Sequence, residues 1–171
     1  GGAGHGAALF PVLTLRRATE VIAAGSWPMA DAIATVTLAF DDRYRRRVRL
    51  IDDAGEAFLL DLDDATRMGD GDGLCLDTGG IVHVRAADEE VLDIRCDDPR
   101  DTVRMAWHIG NRHLPTQVLD DGTLRIRADH VIAQMLVRLG AEVEAKVASF
   151  DPEPGAYDEG AGHSHGDGHD H

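Results

Sequence analysis

Four of the nine histidines in this 171-residue chain fall within its last nine positions, in Gly162-His163-Ser164-His165-Gly166-Asp167-Gly168-His169-Asp170-His171. Imidazole is a good ligand for Ni, Cu and Zn, and glycines between the rings let several of them turn toward one ion. The interleaved glycines and aspartates differ from the unbroken run of an affinity tag. Such an arm captures divalent ions but selects poorly among them, because Cu(II) outranks Ni(II) on nitrogen ligands.

His113 stands in Gly110-Asn111-Arg112-His113-Leu114-Pro115, just past a predicted helix that ends near Gly110-Asn111. A side chain leaving a helix there can project away from its own subunit. His108 precedes it by five residues, about 140° around a helix, so the two do not share a face and one chain offers one ligand here. Two copies across a two-fold axis would offer a pair. His130 follows Asp129 at the start of a second predicted helix, where it is either a ligand or an ordinary first-turn residue. His83, in an alternating strand, reads as packing, and His5 lies in the glycine-rich start. Cys75 and Cys96 are not in a C-x-x-C pair and read as small core residues. The run Arg43-Tyr44-Arg45-Arg46-Arg47-Val48-Arg49 admits two readings. One is a strand edge guarded by arginine; the other is a docking surface for an acidic partner through Arg43, Arg45, Arg46 and Arg47.

Several enzyme signatures are missing: there is no HExxH, no H-x-E with P-C-x-x-C and no GxxxxGK[ST]. The 17 Lys and Arg against 31 Asp and Glu leave a net charge of −14, which opposes a nucleic acid or an anionic membrane surface as partner. No stretch approaches the roughly 18 apolar residues of a membrane-spanning helix, and no leader pattern is seen, so the expectation is a cytoplasmic protein.

The elements that must position these groups fall into three blocks. Residues 1–10 are expected to be a disordered start. Residues 11–86 read as an all-β domain: strands are predicted at 34–40, 47–51, 57–62 and 81–85, with a turn, short strand and turn over 69–80. From residue 87 to 150 the order becomes βαββαβ, the ferredoxin-like signature, giving an α+β chain overall. Its first helix is predicted to bury Val103, Ala106, Trp107 and Gly110, and its second runs over 131–139, capped by Asp129 and stopped by Gly140. A hairpin joins 117–119 to 123–127, and 142–150 is the last strand. Residues 151–171 hold six acids and no Lys or Arg, a composition expected to be a disordered tail. As a flexible coil its 21 residues would span roughly 25 Å.

In this order and spacing, Gly110-Asn111-Arg112-His113, Asp129-His130-Val131 leading to Met135-Leu136 and Leu139-Gly140, Phe150-Asp151-Pro152-Glu153-Pro154-Gly155-Ala156-Tyr157 and the histidine tail resemble the urease accessory nickel-chaperone family, UreE. The resemblance runs from about Thr35 to the end. It implies a partner-binding or peptide-binding N-terminal β domain and a ferredoxin-like domain that dimerises. It also implies a nickel ligand at His113 from both subunits of a homodimer, with His130, His163, His165, His169 and His171 as further ligands. Some members carry a second histidine two positions before His130, where this chain has Ala128. The implied cargo is Ni(2+), with Zn(2+) and Cu(2+) as competitors in vitro, and the implied partners are apo-urease and the accessory GTPase. No catalysis is implied. The rival reading is a general histidine-tailed nickel, zinc or copper buffer, and in either case protonation of imidazole near its reference pKa of about 6.5 loosens binding as pH falls.

Overall fold

The computed structural model describes residues 14–155. The start and the last 16 residues, with His5, His163, His165, His169 and His171, lie outside the described residues, as do the expectations of a disordered start and tail.

Ten strands form two sheets. The first takes β1 (Arg17–Ile22), β2 (Ala32–Leu38), β3 (Tyr44–Ile51), β4 (Ala57–Arg67), β5 (Gly73–Leu76) and β6 (Ile81–Ala86), in the order β2-β6-β5-β1-β4-β3. Its core follows from period-2 alternation. On β4 the buried residues are Phe58, Leu60 and Leu62, which join Ala18, Val36, Leu74, Val82 and Val84. The β3-β4 hairpin is set by its turn: Asp52 Oδ1 accepts from the backbone N–H of both Ala54 and Glu56, and Gly55 takes φ 92°. β1 was not anticipated. Only Ala18 of its six residues is fully buried, too faint a hydrophobic signal, and its place comes from parallel pairing with β4 and antiparallel pairing with β5.

The second sheet takes β7 (Asp88–Arg95), β8 (Gln117–Val118), β9 (Leu124–Arg127) and β10 (Glu142–Ser149), all neighbours antiparallel, in the order β10-β7-β9-β8. Helix α1 (Pro99–Asn111) links β7 to β8, and α2 (His130–Arg138) links β9 to β10. Both begin as their sequences require. Asp98 accepts from Arg100 N–H ahead of Pro99, and Asp129 accepts from Val131 and Ile132 N–H.

The face expected to be buried on α1 is the solvent face. Val103 and Trp107 are 68% and 64% exposed, whereas Met105 and Ile109 enter the core with Leu92, Ile94, Ile126 and Leu136. Two apolar stripes at helical spacing run along this helix, and only the sheet decides between them. The choice falls on the stripe that Leu114, beyond the helix end, extends into the same cluster.

The two sheets meet at one junction. The strand predicted over 34–40 ends at Leu38, and Phe40–Arg43 forms a 3-10 turn that brings Phe40 to 5.5 Å from Phe150, centroid to centroid. The guanidiniums of Arg67 and Arg127 lie over the Phe40 ring at 4.1 and 4.9 Å, contacts each worth about 0.5–2 kcal/mol. Arg43 is fully buried beneath. Its Nε donates to Met68 O, Nη1 to Leu38 O and Nη2 to Phe150 O, and Asp151 lies 3.5 Å away. The expectation that Arg43 meets a partner is therefore corrected: a side chain with no accessible surface and three carbonyl acceptors is structural.

On the sheet face away from the helices, Asp93 is buried under Arg125, which holds it with two hydrogen bonds of 2.7 and 3.0 Å, and under Lys146 at 3.1 Å. Arg125 keeps the Asp93 carboxyl below the usual carboxylate range against the cost of burial. Its stabilising share is thus complete above the unfolded pKa of about 3.9 and is lost as pH falls through the lower folded value. Asp93→Asn, which leaves Arg125 and Lys146 without their anion, should cost about 3 kcal/mol at neutral pH and shrink that loss as the pH is lowered below 4. Urea unfolding at several pH values checks both.

Candidate functional site

The two helices end in the same hydrogen-bond pattern but with different residues at its critical position. At α2, Gly140 N–H donates to Val137 O and Ala141 N–H to Leu136 O, with Gly140 at φ 96°. At α1, His113 N–H donates to Gly110 O (3.0 Å) and Leu114 N–H to Ile109 O (3.5 Å). This is the Schellman cap, whose left-handed residue is usually glycine. Here it is His113, with φ 55°, the one non-glycine residue of positive φ among those described. The helix itself ends at Asn111, as expected near Gly110-Asn111, and Arg112 and His113 form its cap. A left-handed L-residue costs roughly 1–2 kcal/mol, and histidine is among the few that tolerate it. The cap turns the exposed His113 outward while Leu114 turns back into the core.

Beside His113 the start of the tail is pinned. Asp151 N–H donates to Gln117 Oε1 and Glu153 N–H to Thr116 O, while Arg43 holds Phe150 O. A cleft of about 630 Å³ results, with His113, Leu114 and Pro115 on one side, Asp151 to Gly155 on another, and Phe40, Arg67 and Asp72 from the first sheet closing it. Burial raises the Asp151 carboxyl above its ordinary range, against the pull of Arg43. The tail thus leaves the described structure next to His113. Sequence reasoning missed this anchoring. Its only trace was the Phe150-Asp151-Pro152 string, whose partners lie far away in the chain.

Other candidates are dispersed. His130 is exposed at the first position of α2, beside the Asp129 carboxylate that caps the helix. His108 is half-buried edge-on against Trp107, 5.0 Å between centroids, and His83 packs against Trp27 at 5.8 Å. Cys75 and Cys96 are unpaired and half-buried in different parts of the fold, and burial pushes both thiols up, away from the thiolate form that binds metal. Among the described residues of one protomer, no three His, Cys, Asp or Glu side chains converge on a point that could hold an ion. Arg45, Arg46 and Arg47 are exposed on β3, an edge strand, with Arg45 paired to Asp42, Arg46 donating to Asp63 O, and Arg47 3.9 Å from Asp61. No helix among the described residues is long and apolar enough to cross a membrane.

Comparison with known proteins matches both halves of the chain. Residues 16–87 fit the model described as UreE urease accessory protein, N-terminal domain, and residues 89–171 fit the corresponding C-terminal domain. Relatives named urease accessory protein UreE include one from Bradyrhizobium sp. (strain BTAi1 / ATCC BAA-1182), 51% identical over 90% of this chain and 72% of its own length. One from Chelativorans sp. (strain BNC1) is 46% identical over 82% of this chain and 89% of the relative, and one from Ruegeria pomeroyi is 44% identical over 82% and 91%. With both family models and relatives of this similarity spanning most of its length, the chain belongs to the UreE family of urease accessory proteins, and its role is in urease maturation as an accessory protein, not an enzyme.

Proposed function

We propose that the protein is a nickel metallochaperone: a cytoplasmic homodimer in which the two His113 side chains hold one Ni(II) ion as cargo, which tail histidines capture, share and release. The observation that carries this reading is the strained cap. A glycine would satisfy the backbone better at position 113, so an exposed histidine kept there at an energetic cost points to a use for its imidazole.

Two further features support it. The apolar stripe of Val103 and Trp107 is unpartnered on the same helix that ends at His113, and Gly110, whose Cβ position meets nothing within 4 Å, leaves the last turn low enough for a second copy to approach. Residues 151–155, which precede the histidine-rich segment in the chain, lie along the cleft that His113 lines. His130, exposed at the first position of α2, is a peripheral ligand in this reading, with Ala128 in place of the companion histidine of some relatives.

The βαββαβ order and the strand order β10-β7-β9-β8 support reading residues 87–150 as a ferredoxin-like domain, the metal-binding and dimerising unit of this proposal. Residues 11–86 then form the partner-binding domain, with Arg45, Arg46 and Arg47 on its edge strand as the surface offered to acidic segments of apo-urease or the accessory GTPase. Delivery proceeds by exchange of one imidazole for another, so the ion is passed without refolding. Zn(II) and Cu(II) fit the same ligands in vitro, and supply and docking must provide selectivity. A general buffer is the less favoured reading, since it needs neither the two matched halves nor an interface ligand.

Nickel titration calorimetry tests this on the intact chain, the chain ending at Tyr157, and that truncation carrying His113→Ala. The truncation should retain about one nickel per dimer and the substitution should remove it; loss of all binding on truncation alone would make the protein a histidine-tailed buffer. The cap supplies a second, independent expectation. His113→Gly should abolish the interface site yet leave the fold as stable as the parent or up to about 1 kcal/mol more so, because the left-handed strain is relieved. Chemical denaturation beside calorimetry reads both halves of that prediction.

A further inference from the structure

Strand β10 is one of the two edges of the second sheet. All eight of its residues pair with β7, and among the described residues nothing pairs with its other side. Long free edges are templates for another strand. Above this edge lies a mainly apolar groove of about 390 Å³ between α2 and the sheet, lined by Leu92, Ala133, Val137, Val143 and Ala145 together with Gln134 and Arg138. Val137 is 57% exposed, and Val147, on the same side of β10 as Val143 and Ala145, is 66% exposed. A free ladder beside an apolar groove is the arrangement that accepts an added strand.

We propose that the occupant is β10 of a second copy, paired antiparallel across a two-fold axis at Ala145, in an interface separate from the one at His113. The sequence Glu142-Val143-Glu144-Ala145-Lys146-Val147-Ala148 is complementary to itself in that register. With Ala145 opposite its own copy, Val143 faces Val147 twice on the groove side, and Glu144 faces Lys146 twice on the other. Shifting the axis to Glu144 or Lys146 sets like charges directly opposite each other, which is destabilising, so charge favours the Ala145 register over both of its neighbours. The small Ala145 at the axis lets the two strands and the two α2 helices close over the joined grooves. Glu144 and Lys146 already serve Arg95 and Asp93 within the protomer, and each retains exposed surface for a second partner. The interface is isologous, each copy offering the same strand in the same register.

Sedimentation velocity over a range of concentrations tests the proposal on the full nickel-free chain, with Trp107→Lys to block association through α1 and Val147→Lys to charge the groove side of the edge. The Trp107→Lys chain should still pair as concentration rises, and adding Val147→Lys should weaken that pairing at least about tenfold. In parallel, a short thiol crosslinker should join Ala145→Cys chains through position 145 while Ser149→Cys, off the axis, is joined no more than the parent. A Trp107→Lys chain that stays monomeric at every concentration, or equal crosslinking at positions 145 and 149, overturns the proposal. Neither result alters the nickel count that tests the His113 site, so the two readings fail separately.

Discussion

The buried guanidinium of Arg43 holds three parts of the chain in register. It leaves the first sheet at the 3-10 turn, bonds Leu38 and Met68 within that sheet, and reaches Phe150 at the end of the second. A charged group with no exposure is tolerated only when its donors are satisfied, so the carbonyls of Leu38, Met68 and Phe150 must arrive together. Phe40 and Phe150 pack around this contact, and Arg127 and Asp41 add a bridge of 3.0 Å at its rim. The course of residues 150–155, past Thr116 and Gln117 and along the His113 loop, is a consequence of that geometry.

Two opposite uses of backbone energy then separate scaffold from site. At Gly140 the helix ends without strain, because the chain only needs to turn into β10. At His113 the same turn is made by a residue that resists it, and the imidazole is presented to solvent at the end of a helix whose outer stripe is apolar. The strain is local and small against the core that Met105, Ile109 and Leu114 anchor, which is why the cap can hold a histidine without losing the helix.

Much of this was legible in the sequence because it is encoded locally. The strands of the first sheet follow from alternation, α2 from Asp129 and Gly140, and the hairpin before α2 from its Asp-Asp-Gly turn. His113 stood out through its position after a helix. What was not legible depends on contacts far apart in the chain. β1 has too few apolar residues to announce itself, the choice between two stripes on α1 belongs to the sheet, and the burial of Arg43 rests on Phe150, more than a hundred residues away. A row of arginines reads as one surface until one of them finds a backbone cage.

The central claim is that two protomers share one nickel through His113 and that the tail adds ligands to it. X-ray absorption at the nickel edge counts the imidazoles bound to the metal in dimers loaded with one ion. The account predicts more than two in the full chain, falling to two protein imidazoles when the chain ends at Tyr157. An unchanged count, or a single imidazole in the shortened chain, would contradict it.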